Sequence, residues 1–377
     1  AARQVLAALG QLGYSVDMLT FPVGGDVQIP GLRILRTSNP FGVREVPIGF
    51  SHQKLLLDLS LASALSRQLR ERHYTCIHAV EEAAFLAVAA TRFRRVPILY
   101  DMQSSLPEQL ANRPGFRLWP VRRALESAER WLLRRCDLVV ASAGLAAHVS
   151  HTVPDAVVHE WRFPSTQPEV APVEMRSLRE QLELPPDLPL VVYSGTFEAY
   201  QGLHDLLDAI PLVRARVPSA TFVLVGADRN GAPVGHRYAA GLQNSGALRI
   251  IERQPRSRMA PYLAMADVLV SPRVYGGNLP LKIFDYLAAG RAIVASDIPT
   301  HRTVLAEDRA VLVKPGPEAL AAGIVGVLED RHCALRLGHA ARLFAERHLG
   351  WDGFVESVAE FYDEVHASAG ALLVSGT

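Results

Sequence analysis

The stretch Asp267–Ser296, DVLVSPRVYGGNLPLKIFDYLAAGRAIVAS, decides the fold class. Its first residues, Asp267–Ser271, have the short, Val- and Leu-rich composition of a buried strand, and Ala292–Ser296 has the same character. Between the two runs, Pro280 suits the first turn of a helix, where its missing N–H costs no hydrogen bond. Strand, loop, helix and strand in this order predict a βαβ unit of a parallel sheet.

The same alternation runs through the whole chain. Strands are predicted at Ser15–Phe21, Thr75–Val80, Val96–Asp101, Asp137–Ser142, Leu188–Ser194, Thr221–Gly226, Leu248–Glu252, Asp267–Ser271, Ala292–Ser296 and Ala310–Val313. Helices are predicted at Leu55–Arg72, Trp119–Arg135, Leu203–Arg216, Arg258–Ala266, Ala334–His348 and Trp351–His366. Short apolar strands separated by helices indicate an α/β protein whose parallel sheets are covered on both faces.

The chain is long enough for two domains. A single core rarely grows beyond roughly 250–300 residues, and this chain has 377. A proline-rich, acidic break follows the fourth predicted strand. We therefore predict an N-terminal domain over 1–163, a linker over 164–187, a C-terminal domain over 188–349, and a further helix and tail over 350–377. The opening helix feeds a strand directly, as in a βαβ unit that lacks its first strand, so we expect a truncated N-terminus.

Composition and missing motifs exclude several classes of protein. Lys and Arg total 39 against 38 Asp and Glu, so a dedicated nucleic-acid binder is disfavoured. The scattered cysteines Cys76, Cys136 and Cys333 favour reduced thiols and a cytoplasmic location. No membrane-spanning run, metal-ligand spacing, Walker loop or GxGxxG fingerprint is present, which disfavours NAD and FAD chemistry.

A first candidate site follows the strand Leu188–Ser194. The strand ends at Gly195, which allows close approach of a ligand to the backbone, and a polar loop leads to Gly202. The helix that opens there offers free N–H groups and a positive dipole end to a phosphate. An ordinary βα turn is the alternative interpretation.

A second candidate site follows the strand Asp267–Ser271. Its loop contains Arg273, paired glycines and Asn278, and Lys282 lies in the first turn of the next helix. A cation there opposes the helix dipole, so an anion is expected beside it. Asp285 shares the helix face with Lys282. A cation for phosphate and a carboxylate for sugar hydroxyls indicate a nucleotide site, whereas an ion pair on the helix surface is the alternative.

Two further polar clusters follow strands in the N-terminal half. One is His78–Glu82 and the other is Tyr100–Pro107. Sites in parallel sheets form at the carboxyl ends of strands, which makes these segments candidates. Helix capping by Ser104 or Ser105 is an equally open interpretation of the second cluster.

At these segments the sequence resembles the retaining glycosyltransferases of the GT-B fold, the family-4 group. The resemblance rests on Pro280–Ser296, Gly195–Gly202, Glu129–Ser142 and the tail helix, in the family's order over essentially the whole chain. It implies two Rossmann-like domains whose parallel sheets face a central cleft, with the nucleotide sugar bound by the C-terminal domain.

The resemblance also implies roles for individual residues. A carboxylate matching Asp285 holds the ribose of the donor. Expected donor-binding residues are Gly195, Thr196, Tyr200, Gln201, Arg253, Gln254, Arg273, Asn278, Leu281, Lys282, Ile283 and Asp285. Expected acceptor-positioning residues are Glu81, Asp101 and Gln103.

The chain departs from the family pattern at several of its charged positions. Thr196 and Gln201 stand where the family has Arg and Lys, Gly277 where it has Glu, and Gln103 where it often has His. We expect Arg273, Asn278 and Lys282 to replace the lost charge.

The resemblance implies transfer of a sugar from a nucleotide-diphosphate sugar to a hydroxyl of a glycan, lipid-linked sugar or small molecule, as in cell-envelope polysaccharide synthesis. Retention of the anomeric configuration is expected, with neither cofactor nor metal. The alternatives are a nucleotide-sugar epimerase or inverting transferase of the same architecture, and a non-catalytic partner that keeps the fold.

Basic residues beside aromatic ones suggest peripheral contact with an anionic membrane. They are Arg92, Arg94, Arg95, Arg117, Arg122 and Arg123, beside Phe93, Phe116, Leu118 and Trp119. A solvated helix face with buried aromatics is the alternative.

Overall fold

The computed structural model describes residues 2–39, 42–43, 52–92, 96–107, 119–165, 169–227 and 239–374. The chain divides into two compact units. The first comprises the described residues up to Arg162 together with those from Asp352 onward, and the second comprises Phe163–Trp351.

The second unit is built around a six-stranded sheet. Its strands are β7 (Leu190–Ser194), β8 (Thr221–Ala227), β9 (Leu248–Glu252), β10 (Val268–Ser271), β11 (Ala292–Ser296) and β12 (Val311–Val313). Their spatial order is β12-β11-β10-β7-β8-β9, and every pairing is parallel. The order reverses beside β7, the point at which open α/β sheets bind their ligands.

Helices cover both faces of this sheet. They are α6 (Pro172–Gln181), α7 (Leu203–Arg216), α8 (Ala239–Asn244), α9 (Met259–Ala264), α10 (Lys282–Ala289), α11 (Pro299–Arg302), α12 (Pro317–Glu329) and α13 (Arg331–His348). Alternate residues of β7 supply the two cores, since Leu190 and Val192 pack with α10 residues and Val191 and Tyr193 pack with α7 residues.

The first unit has two parallel sheets. One pairs β1 (Val16–Thr20) with β2 (Leu32–Arg36), and the other has the order β3 (Ile77–Val80), β4 (Ile98–Met102), β5 (Leu138–Ala141) and β6 (Val158–Glu160). The helices are α1 (Ala2–Gln11), α2 (His52–Glu71), α3 (Ala83–Ala90), α4 (Trp119–Leu133), α5 (Ala143–Thr152) and α14 (Trp351–Val374).

An aspartate anchors the start of a strand in the same way in both units. The Oδ2 atom of Asp137 accepts a hydrogen bond from the Ile98 N–H at 2.8 Å, and Asp267 Oδ2 accepts one from Leu190 N–H at 2.8 Å. Each carboxylate therefore ties its strand to the neighbouring parallel strand. This agrees with the prediction that Asp267 is a strand-start residue.

The predicted α/β fold with parallel sheets is confirmed, and the sequence missed two strands, β2 and β6. The range 164–187, expected to be a linker, contains helix α6 and belongs to the second unit. The side chain of Arg179 on α6 donates to the Met265 carbonyl at 2.9 Å, so this segment is packed against its domain. Within the described ranges, every helix is too short or too polar to cross a bilayer.

Candidate functional site

Two close backbone approaches join the loop after β7 to the end of β8 and to the loop after β10. A Cβ on Gly226 would lie 2.0 Å from the Gly195 carbonyl oxygen, and one on Gly202 would lie 1.9 Å from the Pro272 carbonyl oxygen. Both residues have positive φ, 130° and 71°, which only glycine adopts easily. The hydroxyl of Tyr193 donates to the Thr196 carbonyl at 2.7 Å and fixes the first loop.

Lys282 lies against these loops. Its Nζ atom donates to Oε1 of Gln201 at 3.2 Å and lies 4.1 Å from the centre of the Tyr193 ring. A Cβ placed on Gly195 would be 3.5 Å from this Nζ. Although Lys282 as a whole is only partly buried, desolvation of its ammonium group, followed by the positive charge of Arg273, holds its pKa well below the usual value.

Arg273 is the second cation of this site and is only 4% exposed. Its guanidinium donates to the Tyr275 carbonyl and to Oδ1 of Asn278, each at 2.8 Å, and its Cζ lies 5.2 Å from the centre of the Tyr200 ring. These contacts hold the planar guanidinium in one orientation. The predicted residues Gly195, Tyr200, Gln201, Arg273, Asn278 and Lys282 are thus brought into one cluster.

A buried histidine, His301, lies beside the cluster and is fixed by two hydrogen bonds. The His301 Nδ1 atom lies 2.7 Å from the Ser296 carbonyl oxygen, which can only accept, so Nδ1 bears the proton. Nε2 then accepts from the hydroxyl of Ser271 at 3.2 Å. Burial, opposed by that backbone hydrogen bond and reinforced by the charges of Lys282 and Arg273, lowers the pKa of His301 to about 4. The imidazole is neutral at pH 7.

Asp285 belongs to a separate polar group on the same helix. Its Oδ1 atom accepts from the hydroxyl of Ser165 at 2.9 Å and from Nη2 of Arg256 at 3.2 Å. Lys282 instead donates to Gln201, so the alternative of an ion pair between Lys282 and Asp285 on the helix surface is wrong.

The remaining predicted donor residues have different surroundings. The side chain of Ile283 is fully buried in the hydrophobic core, so it cannot line a ligand, which corrects the expectation for this residue. Leu281 packs partly against the same core, and Thr196 is exposed. Arg253 and Gln254 follow β9 on the loop that leads to Arg256, and the Gln254 amide donates to the Glu252 carbonyl at 3.1 Å.

The predicted acceptor residues also meet, at the ends of β3 and β4 in the first unit. Glu81 has φ of 52°, a conformation that few residues other than glycine adopt, and its N–H donates to the Asp101 carbonyl at 3.0 Å. The Gln103 amide donates to Oδ1 of Asp101, which is 3% exposed. The Ser104 hydroxyl donates to the Glu81 carboxylate at 3.0 Å.

Sequence reasoning assigned no role to some residues of both sites. In the first unit, His78 lies with Nε2 3.6 Å from Asp101 Oδ2, and its Nδ1 is 2.6 Å from the Tyr362 hydroxyl on α14. In the second unit, Arg256 and Ser165 were missed. His78 begins the candidate segment His78–Glu82 but was given no role, whereas Arg256 and Ser165 come from distant segments that only folding brings near.

The basic and aromatic surface is partly described. Phe93, Arg94, Arg95 and the residues Phe116, Arg117 and Leu118 lie outside the described residues. On α4, Trp119 is 67% exposed and Trp131 is 44% exposed. The alternative of buried aromatics is therefore wrong for Trp119.

Family models match both halves of the chain in series. Residues 1–172 match the model described as Glycosyltransferase Family 4, and residues 188–330 match Glycosyl transferases group 1. Among relatives, a phosphatidyl-myo-inositol mannosyltransferase of Mycolicibacterium smegmatis is 31% identical over 49% of this chain and 48% of its own length. A D-inositol 3-phosphate glycosyltransferase of Catenulispora acidiphila is 27% identical over 51% and 47%. The chain thus spans about half the length of the curated relatives it matches.

Solved structures match nearly the whole chain. Sucrose-phosphate synthase of Thermosynechococcus elongatus has a TM-score of 0.80 at 22% identity and covers 97% of this chain and 93% of its own. Anabaena HepE in complex with UDP and glucose has a TM-score of 0.70 at 18% identity, covering 89% and 86%. At these identities the likeness shows the shared fold, and it agrees with the predicted GT-B architecture.

Proposed function

We propose that this chain, whose two halves match glycosyltransferase domain models in series, transfers a sugar from a nucleotide-diphosphate sugar to an acceptor hydroxyl with retention of configuration. The observation that supports this most is the pair of cations Lys282 and Arg273. Both side chains lie beside the loop after β7, which contains Gly195 and Gly202. This is the point where the strand order of the sheet reverses.

These two cations suit a diphosphate. In the free protein, burial and Arg273 both disfavour the charged form of Lys282. A diphosphate between the two side chains would reverse that preference, because opposite charge within a few ångströms favours the charged form. Negative charge grows on the diphosphate as the bond to the sugar breaks, so the same fixed donors would lower the barrier to transfer.

The proposed reaction needs no metal, because Lys282 and Arg273 supply the positive charge that a divalent cation supplies elsewhere. Retention follows from the resemblance to family-4 enzymes, in which the leaving phosphate takes the acceptor proton. Glu81, Asp101 and Gln103 then need only position the acceptor. The bonds from Gln103 to Asp101 and from Ser104 to Glu81 support that role by fixing these side chains.

The test is transfer by the complete protein, including any native residues beyond this chain. Each assay combines a UDP-, GDP-, ADP- or dTDP-sugar with one acceptor. The acceptors include myo-inositol phosphates and phosphatidylinositol, the compounds that appear in the names of the relatives. We expect one product whose anomeric configuration, read by NMR, equals that of the donor, and whose yield is unchanged by EDTA.

Each other outcome identifies an alternative. An inverted product contradicts retention, and an epimerised donor sugar supports an epimerase. Donor binding without turnover across the whole acceptor panel supports a non-catalytic partner.

We propose further that helix α4 makes peripheral contact with the surface of an anionic membrane. Arg123 and Arg130 share its exposed side, Arg134 follows on the same side, and the exposed rings of Trp119 and Trp131 flank them. The Arg123 guanidinium lies 4.6 Å from the Trp119 ring. Arginine with exposed tryptophan matches the head-group region of an anionic bilayer, where a lipid-linked acceptor would lie.

A cytoplasmic location is part of the same proposal. Burial raises the pKa of Cys76 to about 11 and that of Cys136 to about 12, so both thiols stay protonated and unreactive near neutral pH. Free, unreactive thiols are typical of proteins in a reducing compartment.

A further inference from the structure

The carboxylate of Asp285 is held by two side chains from distant parts of the second unit. Ser165 precedes α6, and Arg256 begins the 3₁₀ turn Arg256–Arg258 after β9. Asp285 itself is 9% exposed. A polar group this buried needs hydrogen-bond partners, and these two side chains provide them.

The two partners use the carboxylate oxygens unequally. Oδ1 receives Ser165 at 2.9 Å and Arg256 at 3.2 Å, whereas Oδ2 receives from Arg256 at 3.4 Å. Oδ1 is therefore well occupied, and Oδ2 retains capacity to accept from a ligand hydroxyl, since a carboxylate oxygen can accept more than one hydrogen bond. The arrangement fixes the rotation of the carboxylate and leaves Oδ2 as the oxygen with the fewer and longer hydrogen bonds.

We propose that Ser165 and Arg256 are positioning residues that make the donor site selective for ribose over 2′-deoxyribose. The inference rests on the proposed function, together with the ribose-holding role that the family resemblance implies for Asp285. With Oδ1 held, the hydroxyls of a ribose complete the bonding of Oδ2. A deoxyribose lacks one of these donors, and a buried carboxylate that is left short of a hydrogen bond weakens binding.

The exposure and the charge of Arg256 are both consistent with this role. Its side chain is 40% exposed, so it can adjust when a nucleotide enters, while its guanidinium balances the charge of Asp285 in the free protein. Because the arginine side of this ion pair is so exposed, the pair adds little to the stability of the fold. Stability alone therefore does not explain an aspartate at this position.

The experiment measures the dissociation constants of UDP and 2′-deoxy-UDP, GDP and 2′-deoxy-GDP, and ADP and 2′-deoxy-ADP by calorimetry. For the base that binds, we expect the wild-type protein to prefer the ribonucleotide by about tenfold or more. Ser165→Ala and Arg256→Gln should bring that ratio toward one, mainly by weakening the ribonucleotide. Arg256→Lys should restore part of it, and Arg258→Gln, in the same turn and exposed, should leave it unchanged.

The outcomes separate this inference from the proposed function. If no nucleotide binds the wild-type protein, the proposed function fails and the inference fails with it. If ribonucleotide and deoxyribonucleotide weaken by the same factor in Arg256→Gln, Arg256 is only a general charge and the inference alone is overturned. A gain in ribonucleotide affinity in Arg256→Gln would overturn it too, because Arg256 would then compete with the ligand.

Discussion

The Nζ atom of Lys282 lies 4.1 Å from the centre of the Tyr193 ring, over its face. An aromatic face attracts a cation, yet here burial and Arg273 still hold the pKa of Lys282 well below its usual value. Without a bound anion, the surroundings of Lys282 therefore disfavour its charged form. This relationship makes anion binding and protonation of Lys282 mutually dependent.

Donor binding should take up a proton at Lys282. The lysine pKa is lowered in the free protein and rises when a diphosphate is bound, so between those two values the complex holds more protons and affinity falls as pH rises, by up to about tenfold per pH unit. The measurement is calorimetric titration of a nucleotide sugar in buffers of different ionisation enthalpy.

Lys282→Arg provides the matched control for proton uptake. Arginine keeps the charge and does not titrate, so this variant should bind without taking up a proton. Equal proton uptake by the wild type and Lys282→Arg would mean that another group titrates.

The close approach of Gly226 to Gly195 predicts a severe effect of a single methyl group. In Gly226→Ala the new Cβ would lie 2.0 Å from the Gly195 carbonyl oxygen, in a residue with φ of 130°. We expect a loss in the free energy of unfolding of more than about 2 kcal/mol, from backbone strain and displacement of the loop together.

Gly316→Ala separates these two causes. Gly316 has nearly the same φ, 132°, but a Cβ there meets nothing within 4 Å. Denaturant unfolding should show a clearly smaller loss for Gly316→Ala. Equal losses would show that strain alone is responsible and that the loop after β7 is not pressed against β8.

The buried neutral His301 should make stability depend on acid pH. Its folded-state pKa of about 4 lies below the ordinary 6.5, so the unfolded state binds a proton first as pH falls. Stability from this group is complete above 6.5 and declines between 6.5 and about 4, at about 1.4 kcal/mol per pH unit. Between pH 7.5 and 4.5, the free energy of unfolding of His301→Asn should fall by about 2.5 kcal/mol less than that of the wild type, as measured by denaturant unfolding. Parallel pH profiles would contradict this.

Membrane contact through α4 should depend on its exposed arginines. Replacing Arg123, Arg130 and Arg134 by Gln removes about 1 kcal/mol of attraction each to an anionic surface, so partitioning should fall by roughly a hundredfold. Flotation with vesicles containing phosphatidylserine or phosphatidylglycerol measures this, and salt should weaken the binding of the wild type. Replacing Arg176, Arg331 and Arg347, all exposed outside α4, is the control. Binding that ignores anionic lipid would contradict the contact.

The sequence predicted most of the second unit because the central strands of its sheet, β7, β10 and β11, are buried along their whole length. A continuous apolar run such as Ala292–Ser296 leaves one interpretation, and the predicted strand matches the structure residue for residue. The strands β2 and β6 were missed because LRILR contains two arginines and β6 has only three residues, VHE. Their pairing depends on neighbouring strands more than on their own composition.

The candidate site was predictable where a single segment encodes it. Lys282 is noticeable at a helix start, and Gly195 at a strand end. The partners of Asp285 were not predictable, because Ser165 lies 120 positions away along the chain and Arg256 lies in another loop. The side chain of Ile283 was misassigned because its neighbours on the helix face the site while Ile283 faces the core.

Binding of nucleoside diphosphates to the complete protein tests the central claim most directly. Thermal denaturation with UDP, GDP, dTDP, ADP and CMP is compared for the wild type, Lys282→Met and Lys314→Met, the last an exposed lysine of the same unit. At about 100 times the dissociation constant, a ligand adds roughly 2.7 kcal/mol. We predict stabilisation by one diphosphate in the wild type and in Lys314→Met, and none in Lys282→Met. Without ligand, the melting temperature of Lys282→Met should be unchanged or higher, because the removed amine is one whose charged form burial disfavours. Silence from all five nucleotides, or equal stabilisation of Lys282→Met, would contradict a donor site at this cluster.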